Sequence, residues 1–309
     1  MIRQRTRPQR NRGDRFFQGC TWLMAATVLA LIALLLYELF LGALPAISRF
    51  RLGFLVGQTW NPVSGQFGAL PAIYGTVLSS LLALAIAGPV GLLAAIYLAE
   101  FAPPWLDGPL SFLIELLATI PSVVFGLWGL YVLVPVLRSP IETTLHNTLG
   151  FLPLVGCTPL GLGMLAAVAI LALMILPYVT AVARDMLRAV PDHQREAMLA
   201  LGATRWEMVW KAVVPYARSG IVGGMMLALG RAVGETMAVT MLIGNRPEIS
   251  ACLFNPSYTL ASQIANEFTE ATTDMYVSVI IELGLILFVV TLILNGLARL
   301  LVWRVSRKS

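Results

Sequence analysis

The sequence predicts an all-α integral membrane protein with six transmembrane helices and both termini cytoplasmic. Three observations carry this. Hydrophobic residues make up 58% of the 309 and charged residues 12%, with a mean hydropathy of +0.81, whereas soluble domains carry roughly 25% charge. Six apolar stretches reach the length of about 20 residues that an α-helix needs to cross a hydrocarbon core. Sixteen of the 21 Lys and Arg residues fall on alternate connections, the side that the positive-inside bias marks as cytoplasmic. A soluble enzyme, a secreted domain and a disordered chain are excluded by the first observation. Cys20, Cys157 and Cys252 form no CxxC or Cys/His cluster, so no metal or other cofactor is expected.

The stretches are 17–41, 71–99, 111–137, 161–187, 219–243 and 276–303. Each is read as a helix, because an open strand edge in lipid leaves backbone groups unpaired. The first follows an Arg-rich arm, residues 1–16. It exceeds the apolar core of a cleavable leader and is read as a retained anchor. A periplasmic segment, 42–70, separates it from a five-helix core, 71–303, and 304–309 form a cytoplasmic tail. The basic residues Arg3, Arg5, Arg7, Arg10, Arg12 and Arg15 of the arm are fully explained as a topology signal, and no nucleic-acid partner is expected. Pro121 is expected to kink the third stretch. Gly230 and Gly234 offer a small-xxx-small packing face, and Glu115 and Glu282 are read as buried acids. The outer connections, about 42–70, 138–160 and 244–275, are rich in Pro, Gly and Asn and are expected to form ordered caps. Cys157 and Cys252 fall in two of them, and the sequence leaves open whether they pair.

The polar connection between the fourth and fifth stretches, within 188–218, has a pattern readable turn by turn. Pro191 opens a helix, with Asp192 and Glu196 near its positive end. Gly202 ends it as a left-handed cap. Thr204 to Glu207 make a T-x-x-E capping box for a second short helix that Pro215 is expected to stop. A DNA-reading helix-turn-helix is excluded, since a loop anchored at both ends to lipid does not reach a major groove. The other reading is a surface for a cytoplasmic partner.

The residues Glu196, Ala197, Gly202, Ala203 and Pro215, spaced Glu-Ala-Met-x3-Gly-Ala-x11-Pro, resemble the EAA loop of the MetI-like, binding-protein-dependent ABC importer permeases. Met198 and Val214 depart from that pattern by apolar exchange. The resemblance implies that this loop sits in a cleft of an ATPase subunit and transmits its closure to the membrane helices. It agrees with the absence of any phosphate-binding Walker A sequence: neither lysine, Lys211 or Lys308, stands in a Gly-rich loop before Ser or Thr. The chain is therefore not expected to be an enzyme.

Arg231 lies 13 residues past Arg218, roughly 20 Å into the membrane at a rise of about 1.5 Å per residue. A charge there costs about 2.5 kcal/mol or more. A continuous helix over 219–243 places Glu235 on the same face at i+4, with Thr236 and Thr240 adding hydroxyls. Such a pair either neutralises itself for insertion or serves a solute. A guanidinium binds tetrahedral oxyanions bidentately. A neighbouring carboxylate accepts a hydrogen bond only from an anion that still carries a proton, which favours phosphate over sulfate. The segments ALGRAVGETMAVTMLIGN (228–245), IPSVVFGLWG (120–129) and FGALPAIYG (67–75) are similar to the C-subunit family of bacterial phosphate-specific transport permeases. That resemblance implies an inner-membrane subunit of an ATP-driven phosphate importer. Its partners would be a homologous second permease, two ATP-binding cassette subunits, a periplasmic phosphate-binding protein and the surrounding membrane lipid. Rival expectations are transport of another oxyanion or polar solute, a proton-coupled carrier with Glu235 as relay, and a membrane subunit without a conduit.

Overall fold

The computed structural model describes residues 12–307; Arg3, Arg5, Arg7, Arg10 and Lys308 lie outside the described residues. Among the described residues, six helices are long and apolar enough to cross a membrane. We label α1 Arg12–Phe50, α2 Leu70–Phe101, α3 Pro104–Thr119, α4 Ser122–Leu149, α5 Met164–Arg188, α6 Asp192–Ala200, α7 Arg205–Gly234, α8 Met237–Leu242, α9 Leu260–Glu267 and α10 Asp274–Arg307.

The most deeply enclosed span, α5, is the axis of the bundle. Ala83 and Ala87 of α2, Leu171, Ile175 and Val179 of α5, and Ala228 and Ala232 of α7 form its central core. Small residues let these helices approach closely, as membrane packing requires. A Cβ on Gly91 of α2 would meet Val179 Cγ1 at 2.9 Å. At one end of the bundle Phe54, Phe67, Leu260 and Tyr276 make a second core, and at the other Ile96, Leu187, Met208 and Val213 make a third beside α6. By contrast, α1 exposes Leu29, Leu31, Leu34 and Leu35, as expected of a helix surrounded by lipid, and it touches the bundle chiefly through α10. There Ser278 Oγ donates to Gly42 O at 2.7 Å.

The helices depart from the sequence expectations at four places. The first span runs on to Phe50 instead of ending near 41. The third stretch is not one kinked helix. Ile120 is extended (ψ 128°) before Pro121, because the proline ring excludes its predecessor from helical geometry; α3 ends there, and the span is α4, displaced toward residue 149. Pro215 does not stop a helix. The π-turn Val209–Val213, in which Val214 N–H donates five residues back to Val209 O, widens the helix just before Pro215 and leads straight into Val214–Gly234, so α7 is continuous from the loop into the membrane. Finally, the fifth span breaks after Gly234, as described below.

The outer connections are ordered. Leu165 N donates to Leu253 O at 2.7 Å and Leu253 N to Leu154 O at 2.9 Å. Cys157 and Cys252 are joined by a disulfide, with Cα atoms 6.3 Å apart, which settles the pairing left open above. Glu282 is buried, but the side chain of Glu115 is 59% exposed and pairs with Arg184 at 3.2 Å. Gly230 and Gly234 do not form a packing face within the chain: a Cβ at Gly234 would meet nothing within 4 Å, and one at Gly230 only the Asn295 side chain at 3.7 Å.

Candidate functional site

Within the fifth span, α7 ends at Gly234. Glu235 is extended (φ −68°, ψ 125°) and Thr236 (φ −109°, ψ −63°) leads into α8. With a helical φ, Glu235 keeps its Cβ one turn past Arg231, and its extended ψ turns the chain out of the helix only after it. No ion pair between them is found among the described residues. Instead Glu235 Oε1 accepts from Ala238 N at 3.4 Å, capping the restarted helix. The hydroxyls are also turned to the backbone: Thr236 Oγ1 donates to Gly234 O at 3.3 Å and Thr240 Oγ1 to Thr236 O at 2.7 Å. Asn245 Nδ2 donates to Thr240 O at 2.8 Å and ties the far end of α8.

Arg231 sits in the last turn of α7, half-buried. Its guanidinium carbon lies 4.7 Å from the centroid of the Tyr178 ring on α5. Its Nε is buried without a hydrogen-bond partner. Tyr178 is itself held by α3, its hydroxyl donating to Ala118 O at 3.1 Å. Sequence reasoning missed Tyr178, because a lone tyrosine in an apolar helix carries no signal. The arrangement thus presents a cation, backed by a ring, beside an interrupted helix, with no ion pair to an acid among the described residues.

The connection between α5 and α7 follows its sequence pattern closely. Pro191 is the N-cap of α6. Gly202 has φ +83°, its N–H donates to Leu199 O, and Ala203 N–H donates to Met198 O, the two bonds of a Schellman cap. Thr204 and Glu207 make the reciprocal capping box. Arg195 anchors α6 from beneath. It donates to Glu100 Oε1 at 2.8 Å and to Leu187 O at 2.9 Å, and its bond to Glu100 raises the guanidinium pKa further above its ordinary value despite desolvation. Arg188 pairs with Asp107 of α3. These arginines join the loop to α2 and α3, while α7 continues from it directly. Glu196, Ala197 and Gly202 are exposed, as are Leu199, Leu201 and Trp206, the last set edge-on to Trp210 at 5.5 Å. Ala203 is half-buried, and Pro215 lies at the head of the apolar part of α7.

Residues 87–307 match the family described as binding-protein-dependent transport system inner membrane component. The chain belongs to this family. It is 44% identical over 300 residues to the phosphate transport system permease protein PstC of Mesorhizobium japonicum, covering 96% of this chain and 92% of that one. The like-named protein of Pasteurella multocida is 42% identical over 318 residues, covering 100% and 99%. That of Xylella fastidiosa strain Temecula1 is 45% identical over 304 residues, covering 96% and 93%. The fold is similar to that of a chain in a bacterial alginate ABC transporter crystallised with an alginate-bound periplasmic protein (TM-score 0.61, 16% identity, 92% and 95% covered). It is also similar to a chain of the MetNI methionine ABC transporter (TM-score 0.54, 18% identity, 81% and 99% covered). As an inner membrane component, this permease is a multi-pass membrane protein and one part of a larger transport system.

Proposed function

We propose that this chain is the transmembrane permease subunit of an ATP-driven importer of inorganic phosphate. The observation that carries the reading is identity of 42–45% over nearly the whole length to phosphate transport system permease proteins. On this reading both termini are cytoplasmic, and the transport path is completed by a homologous second permease. Two ATP-binding cassette subunits supply the energy, and a periplasmic phosphate-binding protein supplies the anion.

The inward path runs past Arg231. Because this cation has no ion pair among the described residues, it is available to an anion that has left water, and the Tyr178 ring holds the guanidinium in place. Binding must remain weak enough for release. Supporting that, Nε is buried and unpartnered, and one guanidinium held only by an aromatic face makes a shallow well. Glu235, Thr236 and Thr240 serve by shaping the interruption beside it. The exposed Glu196, Ala197 and Gly202, with Ala203 behind them, receive the ATPase. Its stroke is passed to the site by α7, whose 30 residues span about 45 Å at 1.5 Å per residue without a break at Pro215.

The test is uptake of labelled phosphate and sulfate by proteoliposomes containing the co-purified subunits and the binding protein. ATP-dependent phosphate uptake that sulfate does not compete with is expected. Uptake of sulfate alone, or phosphate uptake without ATP, contradicts the reading.

A further inference from the structure

Between Val134 and the disulfide-held outer connection lies an open pocket of ≈ 680 Å³ that the transport account leaves unused. Arg138, Ser139, Thr143 and His146 line it, and Pro135 and Pro159 stiffen its walls. The first four residues share one helix face, because the π-turn Leu137–Glu142 runs directly into Thr143–Leu149. The neighbouring acid is turned inward: Glu142 is buried and accepts from Gly161 N at 2.8 Å, and although it attracts Arg138 through space, the two form no ion pair among the described residues. His146 lines the pocket one turn beyond Thr143. Thr143 donates to Arg138 O at 2.8 Å, which leaves the Ser139 hydroxyl as the donor beside the guanidinium.

A guanidinium, an imidazole and a hydroxyl around one concavity form a donor set for the tetrahedral oxygens of a phosphate group. We infer that this pocket is a phosphate-group site at the outer end of α4, distinct from Arg231. The group has two sources: free inorganic phosphate, which rests on the importer reading above, and the headgroup of an anionic phospholipid in the outer leaflet, which does not.

The experiment uses the assembled transporter in nanodiscs, without binding protein and in an Arg231→Gln background, so that the interior cation does not contribute. In phosphatidylcholine discs, equilibrium binding of labelled inorganic phosphate is compared with that of Arg138→Gln and His146→Gln. In discs with added phosphatidylglycerol, lipid retained after extraction is quantified by native mass spectrometry for the same variants. A loss of about tenfold in either arm is expected, the scale of one charge-assisted hydrogen bond, and the arm that responds identifies the source. Ser139→Ala, an exposed change, gives a milder loss in that same arm and guards against misfolding of the other two. Equal phosphate binding and equal lipid retention in wild type and all variants overturn the site, whether or not the complex transports phosphate.

Discussion

The guanidinium of Arg231 stacks at 4.7 Å on the Tyr178 ring, while the Tyr178 hydroxyl is bonded to Ala118 O at 3.1 Å. Three helices thereby meet at one aromatic side chain: α7 brings the cation, α5 the ring, and α3 the carbonyl that fixes the ring. A guanidinium over a ring gains about 0.5–2 kcal/mol, enough to orient it without neutralising its charge.

Tyr178 should therefore respond in a graded way. Tyr178→Phe keeps the ring and loses one hydrogen bond, so phosphate uptake should fall by no more than about threefold, within the roughly 1 kcal/mol of a neutral bond. Tyr178→Leu removes the ring and should lower uptake by about tenfold or more, the upper part of the cation–ring range. Initial rates in proteoliposomes at several phosphate concentrations check both. Equal rates in all three proteins would remove the ring from the account.

Gly202 separates stability from coupling. Its φ of +83° strains any side chain, but a Cβ there would meet nothing within the chain. Gly202→Ala should cost about 1 kcal/mol in thermal stability yet, on the proposed docking of the ATPase at this loop, abolish phosphate-linked ATP hydrolysis. Glu196→Gln, at an exposed site, should leave the thermal midpoint unchanged and reduce the same hydrolysis. Normal coupling in both variants would show that the ATPase docks elsewhere.

The Arg195 anchor gives a stability contrast. Glu100 is nearly enclosed (6% exposed side chain) and Asp192 is 88% exposed, though both pair with Arg195. Glu100→Gln should destabilise by about 2 kcal/mol, since carbonyl partners remain for the arginine. Asp192→Asn should shift stability by less than about 0.5 kcal/mol. Thermal unfolding of the purified complex in detergent distinguishes them.

The Cys157–Cys252 bridge closes a separation of 95 residues and requires an oxidising compartment. Alkylation mass analysis of the protein from membranes should find these two thiols protected until a reductant is added. Free thiols at both positions in native membranes would contradict a periplasmic placement of these connections.

Much of this was legible in the sequence because composition and period are strong signals in a membrane. The spans, the helix, Gly turn, helix loop and its capping box each follow from local chemistry acting on a few neighbouring residues. What was not legible depended on neighbours distant in sequence or on local exceptions. Pro215 reads as a stop, but a preceding π-turn carries the helix through it. Gly234 reads as a packing residue inside one span, whereas the chain leaves the helix just after it and the Glu235 carboxylate caps α8 instead of pairing with Arg231. Tyr178, 53 positions before Arg231 in the chain, is joined to it only by the packing of α5 on α7.

The most direct measurement is ATP-dependent uptake of labelled phosphate by proteoliposomes carrying Arg231→Gln or Arg231→Lys, with ATP hydrolysis followed in the same vesicles. The account predicts that hydrolysis persists in both, that Arg231→Gln abolishes uptake, and that Arg231→Lys, which keeps charge without the planar fork, retains only a small part of it. Wild-type uptake in both variants would contradict a path that runs past this cation.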